Sequence, residues 1–339
     1  MCTRVLYETA AKTYLVGRTM DWEDDPQTDL WSFPAGMARD GGVGPGSIRW
    51  TSRHGSVVAA VYEKCTADGI NTAGLVANLL YLAEADYGNA KETGKPLLSI
   101  GAWAQYVLDN YGTVQEAVAD LSQEPFAIVS HTIPTKQFPK GRPASVHLAI
   151  SDRTGDSAIL EYVGGHVHIY HDPKYAVMTN SPTFDKQIAI AAYWETVGGA
   201  NFLPGGVRAA DRFARMNWML AQVPKAPDAN TAAATVLSLV RAISVPLGLR
   251  DPSLPNISST RWRSIFDSSR NRIYFEAVYS PQIFWVDLGR LPLEPGASPM
   301  KLKLFGTADT GTPRDWVLAG EVSASFETTP AFTFLAPPQ

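Results

Sequence analysis

Met1-Cys2-Thr3-Arg4-Val5-Leu6-Tyr7 opens the chain and organises the rest of it. The apolar-rich run continues to Thr9, crosses a polar turn at Ala10-Ala11-Lys12, and returns as Thr13 to Arg18. That is the pattern of a β-hairpin whose first strand starts on a cysteine. If Met1 is removed, Cys2 carries a nucleophile and a base in one residue. Its thiol has an ordinary pKa of about 8.5 and its new α-amino group one of about 7.7–8.0. Such an amine takes the thiol proton without a histidine, the N-terminal-nucleophile form of acyl transfer. By position alone Cys2 reads as merely a small thiol in a first strand, so the remaining sequence decides.

The 339 residues hold either one large domain or two ordinary ones; with no Pro/Ser-rich linker dividing them, a single domain over 1–339 is expected. Charges nearly balance, 29 Lys+Arg against 33 Asp+Glu, which supports neither a nucleic-acid partner nor an acidic tail. No apolar run approaches the roughly 18 residues of a membrane span. Lys12, Arg18 and Asp21 interrupt the N-terminus before a signal-peptide core develops. With only Cys2 and Cys65, a disulfide framework is excluded, and Cys65 reads as a buried apolar thiol.

Strands dominate the first eighty residues. After a loop from Asp21 to about Gly46, Ser47–Ser52 and Gly55–Glu63 read as a hairpin turning at Arg53-His54. Asp68-Gly69-Ile70-Asn71 reads as a turn before Leu75–Leu82, a strand apolar on both faces. Helices follow at Ser99–Tyr111, with Gly112 as stop, and from a capping box at Thr113-Val114-Gln115-Glu116 through Leu121. Period-two alternation returns at Ser145–Ser151, Ser157–Val163, His166–Tyr170 and Tyr175–Thr179. Helices resume at Phe184–Val197, Ala209–Ala221 and Thr231–Ser244, the Pro246–Pro255 stretch is an ordered loop, and strands close the chain at Arg272–Tyr279, Phe284–Leu288 and Phe332–Leu335. This order predicts an α+β fold, a four-layer αββα sandwich of two stacked antiparallel sheets between helical layers.

Candidate chemistry starts beside the nucleophile. Hairpin pairing brings Arg18 near Cys2, where an arginine favours a thiolate, and Asp21 can hold the α-amino group. Asn180, in Met178-Thr179-Asn180-Ser181-Pro182, sits where a strand runs into a helix; it is either an oxyanion donor or a helix cap. Arg212 is either a site residue or a solvent-facing helix arginine. His166 and His168 share a strand face but have no third ligand at recognisable spacing, so no metal is expected. His54, His131, His147 and His171 read as ordinary surface or core histidines.

Taken in order, Cys2, Gly17-Arg18-Thr19-Met20-Asp21-Trp22, Thr179-Asn180-Ser181-Pro182 and Asp211-Arg212-Phe213 resemble the choloylglycine hydrolase family, with bile salt hydrolases and penicillin V acylases among its members. Asp68-Gly69-Ile70-Asn71-Thr72-Ala73-Gly74-Leu75 and Thr260-Arg261-Trp262 extend the match across the chain. The resemblance implies an N-terminal nucleophile hydrolase cleaving linear amides without a cofactor. Cys2, Arg18, Asp21, Tyr81, Asn180 and Arg212 are then the catalytic positions. Bile salt hydrolases carry asparagine at the position of Tyr81. Tyr81 and Trp22 look like the penicillin V acylases, Trp22 especially like their Gram-negative branch, and are expected to form an aromatic substrate-binding wall. The expected substrate joins a hydrophobic or aromatic acyl group to a small polar amine. Penicillin V comes first, with conjugated bile salts and N-acyl homoserine lactones as rivals within the class. A non-catalytic binder of hydrophobic amides is the reading from another class. Homotetramers and a periplasmic location, with a cytoplasmic one as alternative, are likewise implied by the resemblance.

Overall fold

The computed structural model describes residues 1–133, 140–198, 202–249, 258–280, 282–304 and 318–334. Strand β1 (Cys2–Glu8) pairs antiparallel with β2 (Tyr14–Asp21), Cys2 lying opposite Met20 and Arg4 opposite Arg18. They sit inside a seven-stranded sheet, flanked by Val177–Met178 on one side and by Thr260–Asp267, Arg272–Ala277, Phe284–Asp287 and Gly320–Glu321 on the other. A nine-stranded sheet faces it, with Val76–Tyr81 between Val146–Ser151 and Cys65–Asn71.

Helix α1 (Trp103–Asn110) packs on the outer face of the larger sheet, against Cys65–Asn71 and Val76–Tyr81, and α2 (Val114–Leu121) follows it. Thr113 Oγ1 accepts from Glu116 N at 3.2 Å and Glu116 Oε2 from Gly112 N at 2.8 Å, the expected reciprocal cap displaced by one residue. On the other side α3 (Phe184–Val197), α4 (Ala209–Gln222) and α5 (Ala229–Ile243) form a layer, of which α4 packs on β1 and α5 on β2. Gly17 makes that approach possible, because a Cβ there meets Val236 Cγ1 at 2.5 Å and Val240 Cγ1 at 2.8 Å. The αββα order expected from the sequence is the order observed.

Several local expectations are corrected. Ser47–Ser52 and Gly55–Glu63 do not form a hairpin: Arg49–Thr51 pairs with Ala38–Asp40, while Ser56–Val61 lies between Leu30–Phe33 and Cys65–Asn71. The expected loop to Gly46 therefore contains two strands. Asp68-Gly69-Ile70-Asn71 is strand, and the turn falls after it, where Gly74 takes φ +87° and Leu75 N donates to Asn71 Oδ1. Thr260–Asp267, absent from the sequence reading, lies directly against β2. Phe332 to Phe334 is not strand, and Leu335 and most of Pro246–Pro255 lie outside the described residues.

Candidate active site

Cys2 is buried at the sheet-to-sheet junction, held from three directions by side chains far away in sequence. Its backbone N donates to Asn180 Oδ1 at 2.6 Å, its carbonyl accepts from Arg212 Nη1 at 2.6 Å, and Arg18 Nη2 lies 3.6 Å from its Sγ. Strand alternation puts Cys2 and Arg18 on the same inter-sheet face, which is why one hairpin delivers both. With Met1 in place the Cys2 nitrogen is a peptide N–H, and Met1 and Asp21 exchange both ladder bonds, Met1 N to Asp21 O at 2.6 Å and Asp21 N to Met1 O at 2.9 Å.

Asn180 reaches the site from the strand-to-helix turn. Thr183, not Asn180, occupies the cap position of α3. Its side chain instead accepts from Cys2 and from Arg212 Nη2 (2.7 Å) and donates through Nδ2 to Tyr81 O at 2.6 Å. That carbonyl is available because the ladder between Cys65–Asn71 and Val76–Tyr81 ends at Asp68 opposite Asn78, and Leu79 and Tyr81 lie beyond it. Leu79 O, freed in the same way, accepts from Arg18 Nη2 at 2.9 Å.

Arg212 is no solvent-facing helix residue; it is fully buried, with Thr3 Oγ1 as a further acceptor and Asp21 Oδ2 at 3.7 Å. Burial pulls its guanidinium below the ordinary arginine value, while Asp21 and Cys2 act against that. The Asp21 carboxylate takes a bond from Thr260 Oγ1 at 2.7 Å, so its backbone rather than its carboxylate meets the N-terminus.

Trp22 and Tyr81 both line a cavity of about 100 Å³ whose wall includes Cys2, Met20, Tyr62 and Leu79. Trp22 Nε1 donates to Tyr62 OH at 2.8 Å. Tyr62 and Glu63 take φ +55° and +51°, the left-handed centre of a β-turn closed by Lys64 N to Val61 O at 3.1 Å in a three-residue hairpin loop. Cys65 is half-buried on the cavity wall rather than in the core. Burial pushes its thiol up to about 12, with Arg18 acting against, so it stays protonated at neutral pH. Both cysteines are free.

The motifs at Asp68 and at Thr260-Arg261-Trp262 entered the sequence reading only as family matches, and their roles behind this set were not read from it. Asp68 Oδ2 lies 3.3 Å from Arg18 Nη1, and the carboxylate also accepts from Asn78 and Ser264. Thr260 holds Asp21, Arg261 Nε donates to Trp22 O at 2.8 Å, and the Trp262 ring lies 4.6 Å from the Arg18 guanidinium. His166 and His168 lie on the exposed edge strand His166–His171 of the larger sheet, His166 3.8 Å from Glu124.

Cys2 thus lies between the sheets of an αββα core, on a terminal strand pinned by arginines and an asparagine. The chain matches the profile of linear amide C–N hydrolases, choloylglycine hydrolase family, over residues 2–300, and it belongs to that family, whose members act on linear amide C–N bonds. It is 42% identical to the penicillin V acylase of Pectobacterium atrosepticum over 98% of this chain and 92% of that protein. The structure of penicillin V acylase from Agrobacterium tumefaciens superposes with a TM-score of 0.89 at 44% identity, covering 99% of this chain and 100% of that one. The C2A mutant of the conjugated bile acid hydrolase from Clostridium perfringens shares the fold, with a TM-score of 0.75 at 21% identity over 89% and 97% of the two chains.

Proposed function

We propose that this hydrolase is a cysteine N-terminal nucleophile amidase of the penicillin V acylase kind, folded as one domain over 1–339. It would split a linear amide between an aromatic or hydrophobic acyl group and a small polar amine. The observation that carries this reading is Cys2 on the wall of an apolar cavity also lined by Trp22, Tyr62 and Tyr81. Those rings suit a phenyl or alkyl group, Arg18 reaches the same cavity beside the sulfur, and Asn180 and Arg212 hold the backbone of the cysteine.

In this mechanism Met1 is removed and the freed Cys2 amine takes the thiol proton, directly or through a water. The sulfur attacks the amide carbonyl. Asn180 Nδ2, with one N–H left beyond its bond to Tyr81 O, and the Tyr81 backbone N–H hold the oxyanion. The amine leaves with the proton, and water hydrolyses the thioester. Arg18 sits beside the sulfur, and Asp21 and Arg212 fix the strand ends that bring Cys2 and Asn180 together. Relatedness to Gram-negative penicillin V acylases also supports a periplasmic, tetrameric enzyme.

The test is a panel of penicillin V, a glycine-conjugated bile salt and an N-acyl homoserine lactone, compared by kcat/KM on protein whose intact mass shows Met1 removed. Penicillin V is expected to lead, and Cys2→Ala to abolish turnover of all three with the fold intact. Turnover surviving Cys2→Ala moves the chemistry elsewhere. Trimmed protein that binds but turns over none of the three makes it a silent binder.

A further inference from the structure

The turn that carries Asn180 is gripped from behind by three fully buried polar side chains, His147, Glu161 and Gln187. His147 Nε2 lies 3.0 Å from Thr179 O, the carbonyl just before Asn180. His147 Nδ1 lies 2.8 Å from Glu161 Oε1. Both Glu161 oxygens accept from Phe184 N, at 3.2 and 3.0 Å, where the turn enters α3. Gln187 Nε2 donates to Asn180 O and, at 2.6 Å, to Pro182 O, while its Oε1 accepts from Thr179 Oγ1 at 2.8 Å. Each peptide group from Thr179 to Phe184 that meets one of these side chains therefore meets a group inside the protein, not water.

Donor counting fixes how the set works. A carbonyl only accepts, so His147 carries a proton on Nε2. The contact between Nδ1 and Glu161 needs one further proton, resident on the ring or on the carboxyl. Either way the pair holds one proton between them and leaves Glu161 oxygens to take Phe184 N. A buried pair of this kind is costly to place beside a site and contributes most where it fixes one conformation.

We propose that His147, Glu161 and Gln187 are positioning residues for the amide hydrolysis, acting through Asn180: they set the height of its side chain between Cys2 N and Tyr81 O. This rests on the reading of Asn180 as a site residue. None of the three lines the acyl cavity; His147 follows the wall residue Val146 on its strand, where alternation turns its side chain to the opposite face. Their loss therefore acts on kcat and spares KM.

The experiment is a kinetic cycle on penicillin V with Glu161→Leu, Glu161→Gln, His147→Leu and Asn180→Ala. Displacing a reacting group by about 1 Å costs on the order of 100-fold. Glu161→Leu and His147→Leu are expected to lower kcat by about that factor with KM within roughly twofold. Glu161→Gln recovers most of the loss, since its carbonyl still accepts from Phe184 N and its amide donates to His147 Nδ1. In the Asn180→Ala background, Glu161→Leu adds nothing. Multiplying effects in that cycle, or near wild-type kcat for folded Glu161→Leu and His147→Leu, overturns the inference. An Asn180→Ala enzyme with wild-type kcat instead overturns the reading of Asn180. Should a leucine variant not fold, Gln187→Glu takes its place in the same cycle, because it keeps the Thr179 contact and removes the donor to Asn180 O; a wild-type kcat there also overturns the inference.

Discussion

Replacing Asp68 by asparagine separates two opposing forces at the site. Asp68 is fully buried, with Oδ2 3.3 Å from Arg18 Nη1, and Arg18 in turn stands 3.6 Å from Cys2 Sγ. Burial raises the Asp68 carboxyl from 3.8 to about 6, although Arg18, Asn78 and Ser264 all pull it down. The folded chain thus keeps a proton that the unfolded chain has already released. Its contribution to stability is full below about pH 4 and is lost as pH rises to about 6. Two pKa units correspond to roughly 3 kcal/mol. Against this, deleting the anion of a buried pair typically costs about 3–5 kcal/mol. Here the first effect wins, because Arg18 keeps other partners: Leu79 O at 2.9 Å and the face of Trp262. Asparagine matches the protonated acid in shape and has no proton to lose. At about 2.1 cal/mol/K per residue, 339 residues give an unfolding entropy near 0.7 kcal/mol/K, so 3 kcal/mol is about 4 °C. Asp68→Asn is expected to melt with the wild type at pH 4 and about 4 °C above it at pH 7.5, while kcat falls about tenfold as Arg18 loses its lateral tether. Melting curves at the two pH values decide it. An Asp68→Asn protein that melts below wild type by the same margin at both pH values refutes the argument.

Trp22→Phe and Tyr62→Phe each remove the 2.8 Å bond that fixes the indole in the cavity, worth about 1 kcal/mol, so each raises KM for an aromatic acyl substrate about fivefold. The double variant does no worse than either single one; additive losses in steady-state kinetics disprove the shared bond. Thr260→Val strips Asp21 Oδ1 and Val245 N of a common partner, and about 2–3 kcal/mol of stability goes with it, read as a melting point lowered by roughly 3–4 °C. Tyr81→Ala removes an aromatic side chain from the cavity wall but leaves the carbonyl that holds Asn180, so KM for penicillin V rises while kcat changes less than threefold.

What the sequence revealed follows the range of the interactions involved. The β1–β2 hairpin, the Thr113 cap and the bounds of α3 are local, and they were readable to within a residue or two, save that β2 runs on three residues past the expected Arg18 to Asp21. Arg18 beside Cys2 followed from hairpin register alone. Thr260–Asp267 escaped because Arg261 and Arg263 interrupt its apolar residues, although the strand is fixed by pairing with β2 some 240 residues earlier. Asp68 was read as a turn residue since Asp-Gly is a common turn signal, whereas its place is set by the Asn78 ladder and by Arg18. His147 carried no local signal, because its partners Glu161 and Thr179 lie 14 and 32 residues away.

If Met1 is trimmed as proposed above, the contacts around Cys2 predict that the site is not rebuilt. Cys2 is held at its nitrogen by Asn180, at its carbonyl by Arg212 and at its sulfur by Arg18, and none of these contacts passes through Met1. Met1 contributes a ladder pair with Asp21 at the sheet end, beyond Cys2. Taking Met1 away turns an amide nitrogen into an amine in the place where Asn180 Oδ1 already accepts from it. The carboxylate of Asp21 is anchored independently by Thr260, so the strand end need not follow Met1 when that pair is lost. On the mechanism proposed above, geometry is set by the fold and reactivity by the state of one peptide bond.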